Sequence, residues 1–230
     1  MEEQKLNDEM PRLGDTAPTF RAETTQGTIN FPEDYKGKWV ILFSHPADFT
    51  PVCTTEFMTF ASMTDQFRAL NTELIGLSID SNQSHIAWIR AIQEKAEFKG
   101  MKNVVVNFPI INDIKMEVSK KYGMIHPNAS NTSAVRATFF IDPESKVRAI
   151  IYYPLTNGRN FQEIKRILMA MQTTDKYGVS TPADWEPGDE VIVPAPKTAD
   201  EAFQRAQGQG QAQGSRMVDW YLSFQPAPTN

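Results

Sequence analysis

Cys53 is the single cysteine of the 230-residue chain, so any thiol chemistry must pass through it. A thiolate nucleophile needs a nearby cation, a polar group to orient its target and shielding from bulk water. The stretch Ser44-His45-Pro46-Ala47-Asp48-Phe49-Thr50-Pro51-Val52-Cys53-Thr54-Thr55-Glu56-Phe57 offers candidates for these tasks. Thr50 followed by Pro51 is a helix start, with a hydroxyl residue at the cap and proline at the first helical position. Cys53 then falls at about the third helical position. Backbone N–H groups without intrahelical partners lie there, at an end that carries roughly half a positive charge and favours thiolate over thiol. The Thr50 hydroxyl lies one turn back on the same face, where it caps the helix, orients a substrate, or does both. Pro46 and Pro51 stiffen the segment and cover the sulfur. His45 serves either a substrate or oxidised sulfur, or an ordinary structural hydrogen bond. Glu56 is out of place beside a site for an anion unless it fixes an arginine through a bidentate pair.

Two arginines far along the chain are candidates for that pair. Arg136 opens the β-rich run Ala137-Thr138-Phe139-Phe140-Ile141, where a charge needs a reason, and Arg159 sits in a turn, Asn157-Gly158-Arg159-Asn160. Spacing alone brings neither to Cys53, and a surface role remains open for both.

The elements that would position these groups are legible. Trp39-Val40-Ile41-Leu42-Phe43 is a continuous apolar run, as in a strand buried on both faces. Phe57, Phe60, Ala61, Phe67 and Leu70 recur at helical spacing, and residues 73–79 form a second apolar run. Strand, helix and strand make a parallel unit with a right-handed crossover. A further helix from Ser81 or Asn82 is expected to turn Ile86, Ile89, Ile92 and Ala96 inward. A short strand at Phe108–Ile111 and a brief helix from Met116 to Tyr122 follow. Residues 135–141 and 147–153, separated by Asp142-Pro143-Glu144-Ser145-Lys146, read as a hairpin. The last core helix begins near Asn160, with Phe161, Ile164, Ile167, Leu168 and Met171 on one face. Residues before Asn30 form an irregular lead-in with short strands.

Beyond Tyr177 the character changes. Prolines at 182, 187, 194 and 196 mark an extended segment that offers little helix or sheet. Gln207–Gly214 reads as a Gly/Gln linker, after which Trp220, Tyr221 and Phe224 need a surface to dock on. The division is therefore residues 1–176 as the core domain and 177–230 as a C-terminal arm. A net charge of −5 without a long run of one sign argues against nucleic acid. Residues 1–5 lack the basic and apolar pattern of a leader, and no stretch reaches about eighteen apolar residues, so no membrane span and a cytoplasmic protein are expected. One cysteine excludes a multi-cysteine zinc site and an intramolecular disulfide framework.

The segment His45–Glu56 closely resembles the peroxidatic motif of the peroxiredoxins, with Pro46, Thr50 and Cys53 in register. Ser44-His45-Pro46 and Asp48-Phe49 point to the one-cysteine-like subfamily with long archaeal and bacterial members. The match runs on through Leu77-Ser78-Ile79-Asp80-Ser81, Arg136–Pro143, Tyr153-Pro154, Gly158–Phe161 and Thr181–Trp185, nearly the whole chain in order. The resemblance implies an α/β thioredoxin-like fold with an extended C-terminal arm. It implies a thiol peroxidase for hydrogen peroxide and small organic hydroperoxides that works through a Cys53 sulfenic acid, in antioxidant defence. Arg136 matches the arginine that lowers the thiol pKa and stabilises developing charge, Thr50 the hydroxyl that orients peroxide and Pro46 the shield. Glu56 and Arg159 match a supporting charge network. No metal or organic cofactor is implied, and the partners are a peroxide, an external thiol reductant and further copies of the chain, as a homodimer assembled into a decamer. Many archaeal relatives carry further cysteines near a C-terminal Asp-Trp-Trp segment. Met217–Ser223 has none, so a disulfide between two copies is possible only through Cys53 itself. Gly37-Lys38-Trp39 lacks the serine tied to lipase activity in mammalian relatives. A non-catalytic scaffold or sensor is the competing class, but it would need none of Pro46, Thr50, Cys53 and Arg136.

Overall fold

Two hairpin strands, β1 (Phe20–Thr24) and β2 (Gly27–Phe31), precede the first long apolar run, β3 (Trp39–Ser44), in which all six residues are buried. The chain then forms α1 (Pro51–Ala69), β4 (Thr72–Ser78), α2 (Asn82–Lys95), β5 (Ile110–Asn112) and α3 (Glu117–Lys121). Strands β6 (Arg136–Ile141) and β7 (Val147–Tyr153) follow as a hairpin, ahead of α4 (Phe161–Tyr177). This computed structural model describes residues 10–130, 132–210 and 213–228. Contacts divide the chain into two units, 1–161 and 162–230.

The first unit is built on a seven-stranded sheet in the order β2-β1-β5-β4-β3-β6-β7. Strands β3, β4 and β5 run parallel, while β6 pairs antiparallel with β3 and β7 with β6. β3 is apolar from Trp39 to Phe43 because a strand covered on both faces has no solvent side to alternate with. Val40 and Leu42 join a core cluster with Phe31, Leu77, Ile111, Tyr122 and Phe139. Phe43 points to the other face, where it meets Phe57 and Phe60 of α1 at 5.5 and 4.3 Å between ring centroids. Phe57, Phe60 and Phe67 are fully buried, and each such burial contributes about 1.5–3 kcal/mol. These three rings pin α1 to the sheet. Gly76 of β4 permits the close approach, because a Cβ there would sit 3.3 Å from both Phe43 and Phe57.

Helix α2 differs from expectation in its inner face. Ser81 caps it as expected, accepting from the Ser84 amide at 3.2 Å. The buried residues, however, are His85, Trp88 and Ile92, while Ile86 is half exposed to solvent. Hydrogen bonds and ring packing draw His85 and Trp88 inward, and a count of aliphatic positions misses both.

The second unit is more regular than the prolines suggest. Beyond α4 it contains β8 (Val191–Ile192), α5 (Ala199–Ala206), β9 (Arg216–Asp219) and β10 (Leu222–Gln225). The three strands form a sheet in the order β8-β10-β9. Thr198 accepts from the Glu201 amide, and the Glu201 carboxylate accepts from the Lys197 amide. This capping-box pattern in Thr198-Ala199-Asp200-Glu201 starts α5 and corrects the expectation of little helix or sheet. Ala170, Val179, Trp185 and Val191 form a small core. Trp220 and Tyr221 remain exposed, whereas Phe224 lies under the Arg216 guanidinium at 4.3 Å. Residues 211–212 of the expected linker and the leader region 1–5 fall outside the described residues. Among the described residues no helix is long and apolar enough to cross a membrane.

Candidate active site

Local sequence explains how Cys53 is presented. β3 ends at Ser44, its ladder with β4 extends to the His45 amide on the Leu77 carbonyl, and a short segment turns the chain into α1. Pro51 occupies the first turn of α1 and Thr50 is the cap residue, with extended backbone angles (φ −105°, ψ 147°). The expected side-chain cap is absent. The Thr50 hydroxyl donates instead to the Ala47 carbonyl at 2.9 Å, which leaves its oxygen lone pairs uncommitted to the helix. Cys53 thus sits in the first turn of α1 with its side chain fully buried.

The sheet brings both arginines to this turn. Phe43 pairs with Thr138 and the Ser44 hydroxyl accepts from the Ala137 amide at 3.1 Å, so Arg136 emerges beside the end of β3 from which α1 departs. Its Nη1 donates to Cys53 Sγ at 3.3 Å and to Glu56 Oε2 at 2.8 Å. Nε and Nη2 fork onto the Leu155 carbonyl at 3.0 and 2.7 Å, which fixes the guanidinium plane. Arg159 reaches Glu56 from the segment before α4. Its Nη2 donates to Oε2 at 2.7 Å, while Nε and the backbone amide donate to Oε1 at 3.1 and 2.8 Å. Its remaining Nη1 donates to the Ala137 carbonyl, and its plane lies over Phe43 and Phe60. Glu56 is therefore the shared carboxylate of two buried guanidiniums. Burial alone would push its carboxyl up, but the charge and hydrogen bonds of Arg159, followed by the charge of Arg136, hold it below the usual carboxylate range. Two cations and one carboxylate leave one positive charge over beside the Cys53 sulfur.

His45 makes a structural hydrogen bond through one of its ring nitrogens. Its Nε2 lies 2.9 Å from Asp48 Oδ1, and its ring packs between Phe57 and Trp88 at 4.7 and 5.1 Å. Trp88 Nε1 in turn donates to Thr54 Oγ1, next to Cys53. Burial lowers the His45 pKa and outweighs the opposing pull of Asp48, so the ring is neutral. Asp48 also faces His85 Nδ1, at 2.9 Å from Oδ2. His45, Asp48 and His85 have donor types found in metal sites, with ligand atoms within 4.8 Å of one another. Their mutual hydrogen bonds use both carboxylate oxygens, and His85 Nε2 faces the Ile111 carbonyl, while His45 Nδ1 has no hydrogen-bond partner. Sequence reasoning missed Asp48 and His85 as site components. The spacing of His85, Trp88 and Ile92 by three and four residues was the available signal. The Leu155 carbonyl had none, because a backbone acceptor leaves no mark in side-chain identity. Pro46 lies half-buried in the same segment as Asp48 and Thr50.

Known proteins resemble this chain over most of its length. Residues 13–150 fit the AhpC/TSA family, and residues 170–209 fit the C-terminal domain of 1-Cys peroxiredoxin. A peroxiredoxin of Methanosarcina mazei is 62% identical over 213 residues, which cover 93% of this chain and 96% of the relative. The yeast mitochondrial 1-Cys peroxiredoxin superposes with a TM-score of 0.80 at 42% identity, covering 95% of this chain and all of that one. Peroxiredoxin 6 of Arenicola marina does so with the same TM-score at 35% identity, covering 95% and 99%. With its one thiol in the matched motif and a thioredoxin-like fold around it, this chain belongs to the peroxiredoxins, the thiol-dependent peroxidases, and to their one-cysteine-like branch.

Proposed function

We propose that Cys53 is the peroxidatic thiolate and that Arg136, Thr50 and Pro46 form its immediate machinery. The observation that carries this reading is the Arg136 Nη1 shared between Cys53 Sγ and Glu56 Oε2. A guanidinium held by the Leu155 carbonyl on one side and the carboxylate on the other needs no reorganisation when charge develops, and such preorganised donors stabilise transition states best. The Cys53 sulfur attacks one oxygen of hydrogen peroxide or a small organic hydroperoxide. The S–O bond forms as the O–O bond breaks, and the departing oxygen leaves with the electron pair as hydroxide or alkoxide, which takes up a proton. Arg136 faces the charge on sulfur and oxygen. The Thr50 oxygen, with its own hydrogen already given to Ala47, accepts from the peroxide O–H. Pro46 excludes water, His45 borders the site, and Glu56 with Arg159 holds Arg136 in place.

The product is a Cys53 sulfenic acid with no second thiol in the chain to capture it. An external thiol condenses with it and releases water, and a second thiol reduces the mixed disulfide. The yeast relative's thiol is resolved via the glutathione/thioredoxin systems, and a reductant of that class suits this chain. The role is antioxidant defence in the cytoplasm. The exposed Trp220 and Tyr221, at 40% and 54% exposure, support a homodimer in which residues 177–230 act as an arm on the partner of a 1–176 peroxidase domain, further assembled into a decamer. Peroxide consumption with a generic dithiol tests the catalytic reading: wild type is active and Cys53→Ser is inert. Light scattering of a chain ending at Pro196 tests the arm. A smaller assembly supports it, and unchanged mass and kinetics refute it.

A further inference from the structure

Both ring nitrogens of His85 face groups that accept. Nδ1 lies 2.9 and 3.1 Å from the two Asp48 carboxylate oxygens, and Nε2 lies 3.1 Å from the Ile111 carbonyl oxygen of β5. The ring is fully buried, away from bulk water. A neutral imidazole carries one N–H and would set its other lone pair against an oxygen lone pair. Protonation at both nitrogens satisfies both contacts and places a cation against Asp48, whose own carboxyl is held below the usual carboxylate range by the His45 and His85 hydrogen bonds despite its burial. The other histidine of the cluster then has a defined tautomer. Its Nε2 faces Asp48, which as a carboxylate only accepts, so the proton of neutral His45 is on Nε2. His45 Nδ1 is left as a buried lone pair with no hydrogen-bond partner.

Asp48 is also tied through its backbone. Its amide donates to Asp80 Oδ2 at 3.0 Å, and Asp80 is held by the Ser78 hydroxyl at 2.7 Å. The segment between β3 and α1, which carries Pro46 and Thr50, is thus anchored at one residue to α2, β4 and β5 together. The titratable groups around His85 are Asp48 and His45 from that segment and Asp80 from the turn before α2. From β5 comes only the neutral Ile111 carbonyl.

We propose that His85 is a positioning residue for the peroxide reaction, an imidazolium bridging Asp48 and Ile111 that fixes the proton on His45 and holds the Pro46–Thr50 segment in register with Cys53. The proposal rests on the assignment of Cys53, Pro46 and Thr50 as the reaction centre. Replacing His85 removes the proton reservoir of the cluster. Asp48 then competes for a proton with His45, and the segment loses its link to α2. A displacement of about 1 Å at a reacting geometry costs about 10²-fold in rate.

The test combines nitrogen-15 NMR of the rings with rapid kinetics on the full-length protein. The chain has three histidines, so signals are assigned by their loss in His85→Gln and His45→Gln. At neutral pH His85 is expected to carry a proton on each nitrogen and His45 on Nε2 alone. His85→Gln is expected to oxidise at Cys53 about 10–100-fold more slowly, with an altered rate–pH profile as His45 becomes the proton carrier. A singly protonated His85 in the wild type overturns the proposal, even if the variant fails to fold. So does a folded His85→Gln with the wild-type rate and profile, or a stoichiometric transition metal in the purified protein. Peroxidase activity in Cys53→Ser would instead refute the reaction centre itself and leave the ring signals untouched.

Discussion

Arg136→Ala removes the one cation in hydrogen-bond contact with the Cys53 sulfur among the described residues. At 3.3 Å and an effective dielectric constant of about 20, the attraction between a guanidinium and a thiolate is about 5 kcal/mol. Water entering the vacated space returns part of this, and loss of a single preorganised donor elsewhere costs about 2.7–4 kcal/mol of transition-state stabilisation. The expected fall in the second-order rate constant for peroxide is therefore about 10²–10³-fold. Glu56 keeps three bonds from Arg159, so the carboxylate is not stranded and the variant is expected to fold. Arg136→Lys preserves the charge but cannot fork onto Leu155 while reaching both Sγ and Glu56, so it is expected to recover only part of the loss. Stopped-flow peroxide consumption gives the rate, and thiolate absorbance across pH shows whether the anion itself is lost. A folded Arg136→Ala variant that slows by less than about tenfold, or about 1.4 kcal/mol, would show that the terminus of α1 carries the anion and the arginine does not.

Glu56→Gln leaves two buried guanidiniums facing each other without a carboxylate and is expected to destabilise the fold by about 3–5 kcal/mol, read from the midpoint of denaturant unfolding. Excess peroxide is expected to inactivate the wild type and add two or three oxygens to the Cys53 peptide in mass spectra, because no protein thiol traps the sulfenic acid; a sulfenic acid that persists in excess peroxide contradicts this. Glu56 and Asp48 both hold their protons less tightly in the folded chain than in the unfolded one. Their contribution is complete above the ordinary carboxylate range and is lost as pH falls through it, at up to about 1.4 kcal/mol per pH unit for each group below about pH 4. Chemical denaturation at a series of pH values checks the slope, and a flat acid limb refutes it for both residues.

The β3–α1–β4 unit was legible because burial on both faces of a parallel strand and the Phe57, Phe60, Phe67 spacing each leave a periodic trace. Thr50-Pro51 likewise marked the start of α1, although the Thr50 side chain turned to Ala47 instead of capping. The union of Arg136, Glu56 and Arg159 was not legible from spacing, since it depends on β6 pairing with β3 across about ninety residues of sequence. A family resemblance supplied it where local physics could not. His85 escaped notice because hydrogen bonding, and not hydrophobicity, puts it inside. Helix α5 was hidden by neighbouring prolines despite its Thr198 and Glu201 cap. Pattern reasoning weighs apolar periodicity first, and the elements that it missed are those fixed by polar contacts.

The central claim is that peroxide oxygen passes to Cys53 and nowhere else. Rapid mixing of reduced protein with one equivalent of hydrogen peroxide, quenched into a sulfenic-acid trap and read by mass spectrometry of peptides, tests it most directly. The expected result is a trapped adduct on the Cys53 peptide that grows at the rate at which peroxide disappears. Peroxide loss that outruns the adduct, or that persists in Cys53→Ser, would contradict the account.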